Sequence, residues 1–283
     1  MSQQVWNIGS TLAWCRDYLE HHGDDNPKLS AEWLLAHATG LTRIELYMHF
    51  DQPLTMRERD MLRDALKRRG AGEPLQYIAG EAAFRHIVVR TSRGVLIPRP
   101  ETELLVEVAL KQLAGLDEPH VLEVGCGTGC IACSLAKEAG AHVTATDIAP
   151  EAIACAQRNV EALGFEELVE VIQTDCTNGV EGPFDALVSN PPYIPSAELR
   201  ELPYEVAGFE SALALDGGPD GLDFFDRLIA EALPLVRACG FFACELHESC
   251  LDEAARRRRE AGMHDVSITK DLAGRDRIVS CAK

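Results

Sequence analysis

No stretch of this sequence reaches the roughly 18 apolar residues that a membrane-spanning helix needs. The N-terminus also lacks the basic start and apolar run of a secretory signal, since Ser10 to Glu20 already carries Arg16, Asp17 and Glu20. Basic charge is scarce: 27 Lys and Arg stand against 45 Asp and Glu, for a net charge of −18. The deficit lies in residues 75–283, which hold 18 basic and 34 acidic residues. Such a surface repels a phosphate backbone and argues against a nucleic-acid partner. The basic runs Lys67-Arg68-Arg69 and Arg256 to Arg259 read as solvated helix faces. Ten cysteines in 283 residues, with no signal segment, are too few for a disulfide scaffold and read as the reduced thiols of a cytoplasmic protein. Internal repeats and low-complexity segments are absent too. What remains is a chain with 46% hydrophobic and 25% charged residues, enough to bury a core, and long enough for one large domain and a small one.

Up to Glu73 the pattern is helical. Thr11-Leu12-Ala13-Trp14 leads one amphipathic segment, Ser30 reads as the cap of a second through Leu35, and Thr55 to Arg69 forms a third. This predicts a helical bundle over residues 1–74. Gly70 to Pro74 reads as a hinge, and the strand-like alternation from Tyr77 to Ile97 as a β-hairpin linker over residues 75–97. From residue 98 to 283, strand and helix patterns alternate. Candidate strands are His120–Val124, His142–Asp147, Val169–Asp175, Phe184–Asn190, Gly240–Leu246, Asp265–Asp271 and Asp276–Cys281. Intervening helices predict a mostly parallel α/β sheet covered on both faces. The last two strands are joined by only Leu272 to Arg275, too short for a parallel crossover, and should form an antiparallel hairpin.

Val121-Leu122-Glu123-Val124 runs into Gly125-Cys126-Gly127-Thr128-Gly129, and a helical segment follows. Alternate glycines let the backbone approach a ligand and present N–H groups at a helix N-terminus. The next strand ends in Asp147, whose carboxylate suits the two hydroxyls of a ribose. A dinucleotide fingerprint would need glycine at position 130, where Cys130 stands. The compact G-x-G-x-G spacing points to S-adenosylmethionine, which has no pyrophosphate to cradle. Cys126, Cys130 and Cys133 match the spacing of a radical-enzyme iron–sulfur site. Two of them fall in the helix after the loop, and Ala132 stands where an aromatic residue is usual. They read as small apolar fillers, and no metal is expected.

Phe184 to Ser189 ends in Asn190-Pro191-Pro192-Tyr193, at the end of a central strand where open α/β sheets bind ligands. The Asn190 side-chain oxygen and the Pro191 carbonyl can each accept one hydrogen of an –NH2 group, fixing its rotation. Proline stiffens this acceptor, and Tyr193 offers a ring to a planar target. The chemistry is methylation of a planar amide or amine nitrogen. Alignment supplies most of the catalysis, and no catalytic base is nominated.

With these elements the chain resembles the release-factor glutamine methyltransferases, which modify the glutamine of a Gly-Gly-Gln motif in peptide chain release factors. Further segments that carry the resemblance are Pro74 to Gly80, Val95 to Glu103, Ala214 to Asp223 and Lys270 to Arg277. The Ile97-to-Glu103 segment separates this family from DNA adenine methyltransferases, the alternative reading, which share Asn-Pro-Pro-Tyr. A non-catalytic binding module is the other alternative. The resemblance implies a class I, Rossmann-like methyltransferase domain, with a helical N-terminal domain that helps dock the release factor. It implies a cofactor site at Gly125, Cys126, Gly127, Thr128, Gly129, Asp147, Asp175, Cys176 and Asn190. Substrate glutamine would meet Asn190, Pro191, Pro192 and Tyr193, with Asn190 and Pro191 catalytic, and Arg99, Glu101 and Thr102 would help line the cleft. Two departures stand out: the usual Glu-Pro-Arg reads Glu210-Ser211-Ala212, and the usual Glu-x-Gly reads Glu245-Leu246-His247.

Overall fold

The computed structural model describes residues 6–283 and contains two compact units. The first runs to Glu81 and also includes Tyr204–Phe209; the second comprises Ala82–Pro203 and Glu210–Lys283.

The first unit opens with five successive helices among the described residues: α1 (Ile8–His21), α2 (Pro27–Thr39), α3 (Arg43–Met48), α4 (Met56–Gly70) and α5 (Leu75–Ala79). Capping boxes start three of them, with Asn7 and Ser10 on α1, Thr42 and Glu45 on α3, and Thr55 and Glu58 on α4. Each box satisfies N–H groups that a first turn leaves unpaired. Ser30 is not a cap. The second helix begins at Pro27, whose missing N–H costs nothing at a first position, and the Ser30 hydroxyl bonds instead to Asp24. Ile8, Leu19, Leu34, Leu35, Leu46 and Leu66 fill the core. Arg69 ties Asp24 at 2.6 Å and Glu205 at 2.8 Å, so Tyr204–Phe209 is held to the helices by charge as well as packing.

The expected strands from Tyr77 to Ile97 are shorter than the alternation suggested. Tyr77 and Ile78 lie in α5, and the hairpin is β1 (Glu81–Phe84) with β2 (Ile87–Arg90). Val95 and Ile97 are buried but form no strand. Their apolar character reflects burial on a loop, which period alone cannot separate from a strand.

The second unit follows with α6 (Thr102–Leu113), β3 (His120–Val124), α7 (Cys130–Ala139), β4 (His142–Asp147), α8 (Pro150–Leu163), β5 (Val169–Gln173) and β6 (Phe184–Ser189). After the short helices α9 (Tyr204–Ala207), which belongs to the first unit, and α10 (Asp223–Arg227) come β7 (Val236–Glu245), α11 (Leu251–Glu260), β8 (His264–Lys270) and β9 (Asp276–Ala282). The seven strands of the main sheet lie in the order β5-β4-β3-β6-β7-β9-β8. The pairs β3/β4, β4/β5, β3/β6 and β6/β7 are parallel, whereas β9 runs antiparallel to both β7 and β8. The mostly parallel sheet and its antiparallel C-terminal hairpin match the expectation.

Register sorts the side chains into two cores. Leu122, Leu187, Phe242 and Cys281 are aligned neighbours across β3, β6, β7 and β9, and all join one cluster. Their chain neighbours Val121, Ala186 and Phe241 join the other, against Leu105, Val106 and Leu135. Both faces are thus dry, which is why the strands read as continuous apolar runs. Strand order reverses at β3/β6, and a crevice opens there beyond the carboxyl ends.

The middle strand also carries an acid into this interior. Glu123 of β3 is fully buried, and burial pushes its carboxyl up to about 8, the Ala132 amide offsetting only part. The folded chain therefore keeps a proton that the unfolded chain releases near the ordinary carboxylate range. Stability gained this way is present at low pH and lost as pH rises toward about 8. Glu123→Gln is expected to flatten this contribution, on the order of a few kcal/mol, so the variant's unfolding temperature should gain on wild type as pH rises. Calorimetric unfolding at several pH values checks it.

Candidate active site

The crevice is framed by the ends of β3, β4 and β6. The loop after β3 carries Gly125, Gly127 and Gly129 at φ of +77°, +54° and +75°, a region other residues enter only with strain. Gly125 and Cys126 donate to the Thr146 carbonyl at 2.8 and 2.9 Å, which ties the loop to β4. At Gly129 a side chain would be tight as well as strained, because an added Cβ would stand 3.2 Å from that of Ala156. Asn159 of α8 donates to the carbonyls of Thr128 and Arg90, fastening the loop to β2.

Asp147 ends β4 in the same crevice. Its Oδ2 accepts from the Gly127 N–H and its Oδ1 from the Ala149 N–H, both at 2.9 Å. Burial raises its pKa, and these N–H groups pull against that rise. Each oxygen keeps a lone pair for a further donor. The same carboxylate thus shapes the glycine loop and leaves acceptor capacity at the cleft.

Asn190 follows β6. Its Nδ2 donates to the Thr102 hydroxyl at 3.0 Å, while its Oδ1 is buried and has no partner. Buried polar atoms are rarely left so, and on a cleft such an acceptor is open to a donor brought by a ligand. The Ser189 hydroxyl donates to the Val124 carbonyl at 2.7 Å, locking the Asn190 loop to the strand that leads into the glycines.

Of the expected site residues, Gly125, Cys126, Gly127, Thr128, Asp147, Asp175, Cys176, Asn190, Pro192, Arg99 and Thr102 all line one cleft. Gly129, Pro191, Tyr193 and Glu101 do not line it. Pro191 is buried, and the Tyr193 hydroxyl donates to Glu245 Oε1 at 3.1 Å, away from the expected open ring face. Asp175 is exposed and pairs with Arg227 at 3.0 Å. Cys126, Cys130 and Cys133 are buried free thiols, and burial raises each above its ordinary pKa. Among the described residues no group of three or more His, Cys, Asp or Glu is placed to hold a metal.

Sequence reasoning missed Val95, Ile148, Ala149, Ala152, Leu213 and Phe224, which complete the apolar walls. Single apolar residues on loops carry no spacing signal. It also missed why the Ala214–Asp223 segment is glycine-rich. Gly217 and Gly221 pack on the backbone of Tyr193, where an added Cβ would approach to 2.6 and 2.5 Å. The segment clamps the chain after Tyr193 through Ile194 N–H to Leu215 O and Gly217 N–H to Ile194 O, both 2.9 Å. The departure at Ser211 leaves Glu210 intact, buried and paired with Arg99 at 2.8 Å. His247 turns its Nδ1 to the Ser249 hydroxyl.

Residues 10–80 match the PrmC N-terminal domain family and residues 100–202 the methyltransferase small domain family. The release factor glutamine methyltransferase of Chlorobaculum tepidum is 41% identical over 99% of this chain and 98% of its own length. Those of Rhodopirellula baltica and Geobacter sulfurreducens are 38% and 39% identical, each over 98% of this chain and 97% and 96% of their own. This chain belongs to the release factor glutamine methyltransferases. A solved structure of the hMettl16 catalytic domain with a MAT2A 3′UTR hairpin shares the fold, at a TM-score of 0.58, 19% identity and 80% coverage of each chain.

The crevice fits the methyl donor expected of such a family. A half-buried carboxylate, a glycine loop at positive φ, apolar walls and an amide oxygen with no partner among the described residues suit a nucleoside with a cationic centre. Asp147→Ala is expected to weaken S-adenosylmethionine binding by about 1.5–3 kcal/mol, because a charge-assisted acceptor is lost and the glycine loop loosens. Titration calorimetry checks it; unchanged affinity removes Asp147 from the site.

Proposed function

We propose that this chain transfers a methyl group from S-adenosylmethionine to the side-chain amide nitrogen (N5) of the glutamine in the Gly-Gly-Gln motif of peptide chain release factors, in the cytoplasm, as part of translation termination. One observation carries the reading: among the described residues the Asn190 amide bonds to Thr102 alone, on Nδ2, so that Oδ1 is left as a buried acceptor on the cleft.

Gly125 to Gly129, Asp147, Asp175 and Cys176 would hold the cofactor, which supplies a methyl group on a positively charged sulfur. Asn190 Oδ1 would take one N–H of the substrate amide, and the Pro191 carbonyl, set back from the cleft lining, would take the other once the substrate is seated. Two such bonds stop rotation about the C–N bond and point the nitrogen's remaining lobe along the line of attack. An amide nitrogen is a weak nucleophile because its lone pair is delocalised, so this alignment matters more than proton removal, and can contribute roughly 7–11 kcal/mol. The reaction proton leaves after the bond forms, and no residue of lowered pKa is required.

The protein substrate is favoured over a nucleic acid by charge. Residues 75–283 hold 18 basic and 34 acidic residues, which would repel a phosphate backbone. The family relatives are named for release factors, which supports the same choice. No helix among the described residues is long and apolar enough to cross a membrane.

Asn190→Ala is expected to cut turnover at least about a hundredfold, roughly 2.7 kcal/mol, while cofactor affinity changes far less. The measurement is transfer of labelled methyl to a release factor, with peptide mapping of the product. Changing the target glutamine to asparagine should abolish it, since the shorter side chain does not reach the loop. Methylation of adenine in DNA, with none on a release factor, would overturn the substrate.

A further inference from the structure

Behind the Asn-Pro-Pro-Tyr loop lies a carboxyl that methyl transfer does not obviously need. Glu245, the last residue of β7, is 1% exposed. Tyr193 donates to its Oε1 at 3.1 Å, the Thr102 hydroxyl lies near enough to lower its pKa, and Oε2 is buried with no hydrogen bond among the described residues. Arg277 of β9 favours the ionised form but is itself engaged with Asp271 at 3.0 Å. Glu101, at the head of α6, opposes ionisation, and Cys244 adjoins on the same strand. Burying a carboxyl with so little compensation costs stability that an apolar residue would not.

The hydrogen bonds have a direction. Asn190 Nδ2 donates to Thr102 Oγ1, so the Thr102 proton is free to point elsewhere, and the neighbouring Glu245 carboxyl, with Oε2 unengaged, is an acceptor it can turn to. A carboxylate only accepts. It therefore sets the sense of the chain from Asn190 to Thr102 to Glu245, with the amide nitrogen inward and the amide oxygen on the cleft. A neutral group able to donate to Thr102 permits the reverse. Thr102 would then donate to Asn190 Oδ1, and the amide would offer its own N–H groups to a substrate that also brings N–H groups.

We propose that Glu245 is a positioning residue for methyl transfer: through Thr102 it holds the Asn190 side chain with its oxygen toward the substrate, and through Tyr193 it fixes the other end of the same loop. The inference rests on the glutamine-methylation reading above. It also has a pH signature. Burial raises the Glu245 carboxyl to about 7, against the lowering effect of Thr102, Tyr193 and Arg277. Above that value the carboxylate accepts and the amide is held; below it the added proton competes for Thr102. Turnover at saturating cofactor should fall as pH drops through about 7.

The test is kcat on a release factor, across pH values on both sides of 7, for the full chain and three variants. Glu245→Gln keeps the shape but can donate, and Thr102→Val removes the relay. Each should lose about tenfold or more in kcat with little change in cofactor Kd. Whatever activity Glu245→Gln keeps should show no inflection near 7. Thr102→Ser, which retains the hydroxyl, should stay within about threefold of wild type, and this pair decides the matter if Glu245→Gln fails to fold. Wild-type kcat in Glu245→Gln overturns the proposal. So does a loss that leaves the inflection in place, which marks a structural role only, and so does Thr102→Val matching Thr102→Ser. A wild-type chain that methylates no release-factor glutamine overturns the function itself and the proposal with it, an outcome distinct from an active wild type matched by an equally active Glu245→Gln.

Discussion

The hydrogen bond from Asn190 Nδ2 to Thr102 joins the two ends of the catalytic unit. Asn190 sits where β6 gives out, and Thr102 opens α6, the first helix of the unit. An amide side chain has two nearly equivalent ends, and only its hydrogen-bond partners decide which faces a ligand. Without Thr102 the Asn190 oxygen and nitrogen would compete for the cleft. Much of the surrounding architecture serves to keep this one side chain still. The Ser189 hydroxyl pins the loop to β3, and Gly217 and Gly221 clear room for the Tyr193 backbone to pass.

A second constraint comes from burying acids in an already acidic chain. Asp147, Glu123 and Glu245 all sit in or behind the crevice, and desolvation raises the pKa of each. They differ in how that penalty is met. Asp147 accepts backbone N–H groups on both oxygens, so its raised pKa is opposed, and a carboxylate facing a nucleoside is consistent with its surroundings. Glu123 has little but the Ala132 amide. Glu245 lies between, with two hydroxyl neighbours and the Arg277 guanidinium, which is paired with Asp271. Environment thus separates three carboxyls of like chemistry into a ligand acceptor, a neutral interior group and a group near its titration point.

Much of this was legible in the sequence because it rests on short-range rules. The glycine spacing at 125, 127 and 129 requires positive φ at each, and the structure has it. The short link Leu272 to Arg275 forces an antiparallel pair, and β8 and β9 form one. The illegible parts depend on contacts between distant segments. Thr102 and Asn190 are 88 positions apart, and Tyr193 and Glu245 are 52 apart. No local pattern announces either pair. Val95 and Ile97 illustrate the converse error, since they alternate like a strand yet form none. Pro27 displaced Ser30 as the start of α2 because a proline's fixed φ is a stronger start signal than a hydroxyl three residues later.

The two departures from the family pattern bear on the protein substrate more than on the chemistry. Ser211 lines the cleft and Ala212 is exposed beside it, so the missing arginine removes a charge from the rim and leaves the Glu210 pair with Arg99 untouched. His247 follows Leu246, two residues after the buried Glu245, and turns out of the core to Ser249, with Glu198 at 3.9 Å from its Nε2. Neither change reaches Asn190, Thr102 or Asp147. Methyl-transfer geometry is set by dry, hydrogen-bonded contacts that tolerate little variation, whereas rim charges act through solvent and are screened. Variation at the rim therefore leaves the hydrogen bonds that orient Asn190 as they are.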